Sequence, residues 1–148
     1  MKLLVSLLAV AAALSAGEPG VKAQYIGGTV AGIATKATAR LDVTGSDTLR
    51  FRCGDADLTI DYHKINTLEY GQNVSRRYAA AILISPVLLL SKSRKHFVTI
   101  GYVDGEGKQQ ALVFRVDKGD IRMVLASLEA RTGRRVEYQD DEARKRKG

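Results

Sequence analysis

The sequence predicts a mainly β domain, seven antiparallel strands followed by one C-terminal helix, and three observations carry that prediction. Beyond residue 24, apolar and polar side chains alternate in short runs, the period of strands with one buried face. Turn residues interrupt those runs about every ten positions, the spacing expected of hairpins in an antiparallel sheet. Near residue 120 the apolar period lengthens: Ile121, Val124, Leu125 and Leu128 fall at i, i+3, i+4 and i+7, the stripe of an amphipathic helix.

The elements follow in order. Residues 25–33 open the sheet, and Gly27, Gly28 and Gly32 read as strand glycines near a bulge or bend. Strands at 39–44 and 49–53 flank the turn Gly45, Ser46, Asp47. In the second of these Leu49, Phe51 and Cys53 alternate with Arg50 and Arg52, so the single cysteine shares the apolar face and is expected to be buried. Gly54 and Asp55 turn the chain into 58–62, and 65–70 makes the fifth strand. Residues 97–103 and 110–116 form a hairpin across Asp104, Gly105, Glu106 and Gly107, where Gly and Asp accept the positive φ of a tight reversal. Asp117 is placed to cap the helix, Asp120 adds negative charge to its first turn, and Gly133 ends it. Residues 135–138 fit a short further strand, and 140–148 reads as a charged, flexible tail.

The chain of 148 residues, 45% hydrophobic and 26% charged, suits one folded domain, and it shows neither an internal repeat nor a Pro/Ser linker. Its beginning has the plan of a secretory signal: Lys2, an uncharged and mostly apolar stretch at 3–14, then Pro19 and Gly20. As a helix that stretch is about 18 Å long, short of the roughly 30 Å hydrocarbon core. Small residues place the cut between Ser15 and Ala23. The expected organisation is a signal peptide at 1–23, a domain at 24–139 carrying an apolar insertion at 78–90, and the tail. The expected location is exported, periplasmic or extracellular.

The segment Leu58 to Gln72, LTIDYHKINTLEYGQ, resembles the strand and following strand of bacterial pleckstrin-homology-like and GRAM-like domains. Asp61 stands where those sequences often carry Pro. VTIGYVDGEGKQQALVFRV, from Val98 to Val116, is similar to their next hairpin, and 118–133 to their closing helix. The chain is also similar to a group of secreted bacterial proteins of unassigned function. The resemblance covers most of 24–133 and implies a seven-stranded bent barrel with the helix plugging one open end. Lipid-binding members of the wider fold use basic residues near the first strand turn, where this chain has only Lys36 and Arg40. Phosphoinositide binding is therefore not carried over, since one fold hosts lipid binders and protein binders alike.

Residues 78–90, YAAAILISPVLLL, form an uncharged run between the fifth and sixth strands. Arg76 and Arg77 precede it; Lys92, Arg94 and Lys95 follow it. Burying Ile82, Leu83, Ile84, Val87, Leu88, Leu89 and Leu90 is worth roughly 10 to 20 kcal/mol in all, which forbids a freely solvated loop. Three covers are open: the domain's own core, a second copy of the chain, or lipid. Ser85 and Pro86 would bend the run in two, and as a helix it spans only about 20 Å, enough to dip into one leaflet with basic flanks at the headgroups. These twelve apolar and basic residues are the candidate binding surface for a membrane or a partner protein, a homo-oligomer included.

Few residues point to chemistry. The glycines lack the spacing of a dinucleotide or phosphate loop. His63 and Asp61 stand two apart on one expected strand and could face the same way as base and acid, but no positioned nucleophile accompanies them. Asp55 and Asp57 offer too few oxygens for a hard cation, and His96 reads as part of a basic rim with Arg94 and Lys95. One Cys and two His leave no structural zinc site. Lys plus Arg number 23 against 16 for Asp plus Glu, a net +7 that suits an anionic partner. Nucleic acid is not expected, because the aromatic residues fall in strand patterns and form no stacking platform. The expectation is a non-enzymatic binding or assembly module without cofactor; the alternative is a small envelope hydrolase using His63 and Asp61.

Overall fold

The computed structural model of the chain describes residues 19–72 and 95–139. Among them are eight strands: β1 Val21–Gly28, β2 Thr38–Asp42, β3 Thr48–Cys53, β4 Ala56–Asp61, β5 Ile65–Gly71, β6 Phe97–Val103, β7 Gln109–Val116 and β8 Glu137–Tyr138. A 3₁₀ turn at Tyr62–Lys64 joins β4 to β5, and helix α1, Ile121–Thr132, follows β7. All strands form one sheet in the order β4-β3-β2-β1-β7-β6-β5-β8.

The mainly β character and the C-terminal helix are as the sequence indicates; strand number and closure differ. The sheet is open, with β4 and β8 as its edges. The eighth strand lies parallel to β5, with Glu69 opposite Glu137 and Tyr70 opposite Tyr138, whereas the other neighbouring pairs are antiparallel. It is parallel because α1 intervenes: Gly133 adopts φ 68 and turns the chain back, and buried Val136 anchors the short return.

The first strand also shifts. It begins at Val21, where Val21, Lys22 and Ala23 pair with Leu41, Arg40 and Ala39. It ends at Gly28, after a register shift between Tyr25 and Gly27, the bulge that the glycines suggested. The chain then turns rather than continuing to residue 33, with positive φ at Gly32 and Lys36. Gly28 is required by close approach: a Cβ there would stand 2.5 Å from the Ala111 carbonyl oxygen and 2.7 Å from the Tyr25 hydroxyl.

The inner face of the sheet makes the core. Tyr25, Phe51 and Phe114 meet with ring centroids 4.8 to 6.1 Å apart, the tilted and edge-on contacts aromatic rings prefer. Ile121, Val124, Leu125 and Leu128 of α1 join this cluster, as the helical stripe requires. Cys53 is buried there as expected, and burial pushes its thiol up. The helix start differs in detail. Asp120, not Asp117, occupies the cap position, and it makes no side-chain cap bond. The Asp117 carbonyl instead accepts from the Asp120 and Ile121 amides.

Candidate functional site

Arg76, Arg77, Ile82, Leu83, Ile84, Val87, Leu88, Leu89, Leu90, Lys92 and Arg94 lie outside the described residues, as does the tail. Lys95 is described and partly buried, two residues before β6. The connection carrying the others therefore leaves at the end of β5 and returns at the start of β6, two strands that are neighbours in the sheet.

The possible acid–base pair is not assembled on a strand. Asp61 ends β4, while exposed His63 lies in the 3₁₀ turn. Buried Tyr62, its ring 5.9 Å from the Arg131 guanidinium, takes the backbone out of the period-two pattern at this point. The Asp61 carboxylate lies 3.7 Å from the Lys64 ammonium. Asp57 is likewise engaged: the Arg50 guanidinium donates to both its carboxylate oxygens and holds that carboxyl below its usual range. His96 is not part of a rim. It is buried, with Nδ1 2.6 Å from the Tyr70 hydroxyl and the two rings nearly parallel. Among the described residues no three His, Cys, Asp or Glu side chains are grouped to hold a metal ion.

The strand registers reveal a feature of the outer face that a linear reading does not. Over the middle of β5, β6 and β7, and at Ile26 of β1, this face is buried as fully as the core. Ile26, Ala111 and Val113 have no exposure, Thr99 has 1% and Phe97 and Glu69 have 5%, yet none of these belongs to the inner cluster with α1. Burial on both faces is why β6 and β7 lack a polar alternation. Across β1, β2 and β3, in contrast, the outer face is cationic and in contact with solvent. Lys22 stands opposite Arg40, Arg40 opposite Arg52, and Arg52 opposite Asp57, in one transverse row. The next row holds Arg115, Gln24 and Thr38, and Arg50 lies on the far side, opposite Asp42.

Two of these cations reach neighbouring oxygen atoms. Arg40 Nη1 donates to the Gly20 carbonyl at 3.1 Å, and Arg115 Nη1 reaches Gln24 Oε1 at 3.5 Å. Hydrogen bonds from Thr44 hold the Asp42 carboxyl below its usual range, with the charges of Arg52 and Arg50 adding to the effect. A cavity of about 280 Å³ opens beside the row, lined by Lys22, Ala23, Gln24, Thr38, Arg115 and Asp117. A second, of about 210 Å³, lies along edge strand β4, between Leu58, Thr59, Ile60, Asp61 and Lys64 on one side and 102–105 on the other.

The cationic half was hidden in the sequence because each cation on β1 to β3 occupies an ordinary outward position. The available signal was that Lys22, Arg40, Arg50 and Arg52 all alternate with core residues on three successive strands. Among the described residues no helix is long and apolar enough to cross a membrane. Compared with known proteins, the chain matches no family model and no curated protein sequence.

Proposed function

We propose that the chain is an exported, non-enzymatic docking module of pleckstrin-homology-like type that associates peripherally with an anionic membrane surface. The sheet order, with β1 between β2 and β7 and a helix after β7 packed into the inner core, fits a bent, partly open barrel of that type. The observation that carries the function is the division of the outer face into a covered apolar half and a solvated cationic half.

The same division bears on the apolar run at 78–90. Ile26, Ala111 and Val113 are buried within a single chain, so neither lipid nor a second copy is needed to shield them. The connection 73–94 starts and ends on β5 and β6, whose outward side chains belong to this half. In this reading docking is electrostatic. A hydrolase using His63 and Asp61 has no supporting observation, since the acid is paired with Lys64 instead.

Co-sedimentation of the mature protein with vesicles tests the reading. Binding to phosphatidylglycerol-containing vesicles at low salt, lost at high salt and absent with pure phosphatidylcholine, is the expected result. Salt-insensitive binding to neutral vesicles would mean that the apolar run inserts instead, and no binding under any condition would remove the membrane function.

A further inference from the structure

We propose that the free edge of β4, together with the groove beside it, takes up an extended segment of a partner protein in which apolar and basic side chains alternate, the segment joining the sheet as a further strand. The proposal concerns a second surface of the molecule and does not rest on the membrane function.

The edge consists of backbone groups that β3 leaves unused. The Tyr62 amide donates to the Asp47 carbonyl, and the register continues from there, with Asp61 opposite Thr48 and, at the other end, Ala56 opposite Cys53. Bonding alternates along an antiparallel pair, so Ala56, Leu58 and Ile60 bond to β3. The amides and carbonyls of Asp57 and Thr59, and the Asp61 amide, point the other way. Among the described residues no strand pairs with β4 on that side, and Asp57 and Thr59 are exposed. A row of outward donors and acceptors is a template for one more strand.

The side chains along this edge select the occupant. The cavity of about 210 Å³ beside β4 has Leu58, Ile60, Tyr102 and Val103 in its lining. It is small for a free ligand but suits apolar side chains that recur at every second residue of a docked strand. Asp61 stands on one wall of the groove and Asp104 on the other. Asp57, Thr59 and Asp61 alternate with Leu58 and Ile60, so an added strand would set alternate side chains against the acids and the rest over the groove. Arg50 and Arg52 also face Asp57, but from β3, one strand further in, and Lys64 shares Asp61 at 3.7 Å. Asp104 accepts from neutral donors, Gln110 Nε2 and the amides of Glu106 and Lys108, and keeps its charge. A second copy is a poor occupant. Antiparallel pairing of two β4 strands about Thr59 would set Asp57 opposite Asp61, and like charges in opposed positions destabilise a strand pair.

The test titrates the isotope-labelled protein with end-blocked hexapeptides, followed by amide nuclear magnetic resonance. One probe alternates valine and lysine, a second alternates valine and glutamate, and a third is the lysine probe with methylated backbone nitrogens at alternate residues. The lysine probe is expected to bind saturably, to shift the amides of Asp57, Thr59 and Asp61 and to slow their hydrogen exchange. The glutamate probe should bind about tenfold more weakly, although the net charge of +7 would favour it. Loss of binding by the methylated probe on the face that meets β4 is expected, since it lacks the donors for strand addition. Thr59→Pro removes an edge donor from the protein, a change edge strands accept, and should abolish binding while circular dichroism verifies the fold; should that variant unfold, the methylated probe decides the point. No saturable binding of the lysine probe, equal or tighter binding of the glutamate probe, undiminished binding of the methylated one, or shifts confined to residues away from β4 would each overturn the proposal. So would protection of the same amides by dimerisation of the protein alone.

Discussion

Replacing Val113 by Ala tests whether the outer face of β7 is a second packed surface. Val113 pairs with Thr99 on β6 and Gly27 on β1, on the side away from α1, and has no solvent exposure. An outward valine on an uncovered sheet would already be half in water, and truncating it would change stability by at most about 0.5 kcal/mol. Here the substitution removes two buried carbons, about 0.8 kcal/mol each by transfer, and leaves a small cavity, so the expected loss is about 2 kcal/mol. Urea unfolding followed by far-ultraviolet circular dichroism measures it. Thr59→Ala, outward and exposed on β4, is the control and should shift the midpoint little. A Val113→Ala midpoint matching that control would show that the outer face of β7 is not covered.

Three further outcomes follow. Burial pushes the Tyr25 phenol up to about 12, with the charges of Cys53 and Tyr102 adding to the rise. Because the folded state holds this proton more tightly than an unfolded chain near pH 10, its contribution is complete below about pH 10 and disappears as pH climbs to about 12; Tyr25→Phe should flatten that part of the stability profile measured by urea unfolding. A chain beginning at Gln24 loses the β1 pairs of Val21, Lys22 and Ala23 and the burial of Ala23, so it should be at least about 2 kcal/mol less stable than one beginning at Glu18; equal denaturation midpoints would contradict the role given to this strand end. Gly28→Ala drives a methyl group toward the Ala111 carbonyl and the Tyr25 hydroxyl, and thermal melts should show a loss of about 1 to 3 kcal/mol.

Much of the architecture was legible wherever local pattern and tertiary role agree. The strand expected at 97–103 is β6 residue for residue, and β7 differs by one residue at its start. Ile121, Val124, Leu125 and Leu128 all reach the core, and Gly133 takes the left-handed conformation that ends the helix. The start of β1 was misplaced because Val21, Lys22 and Ala23 fall within the stretch expected as a signal peptide, and their pairing with β2 is not a local property. The pair Asp61 and His63 looked strand-borne because nothing local marks the 3₁₀ turn that buried Tyr62 begins. His96 looked basic and exposed beside Lys95, and its hydrogen bond to Tyr70 spans 26 positions of sequence. The cationic row is a property of register alone: Lys22, Arg40 and Arg52 lie far apart along the chain and become neighbours when β1, β2 and β3 pair.

The orientation of the module on a membrane is the most direct measure of this account. Single cysteines carrying an environment-sensitive fluorophore, introduced in a Cys53→Ala background at Thr38 on the cationic face and at exposed Met123 on α1, would report it on vesicles containing phosphatidylglycerol. The account predicts a blue shift and protection from an aqueous quencher at position 38, with position 123 unchanged. Protection at position 123 with position 38 still open to quencher would contradict it.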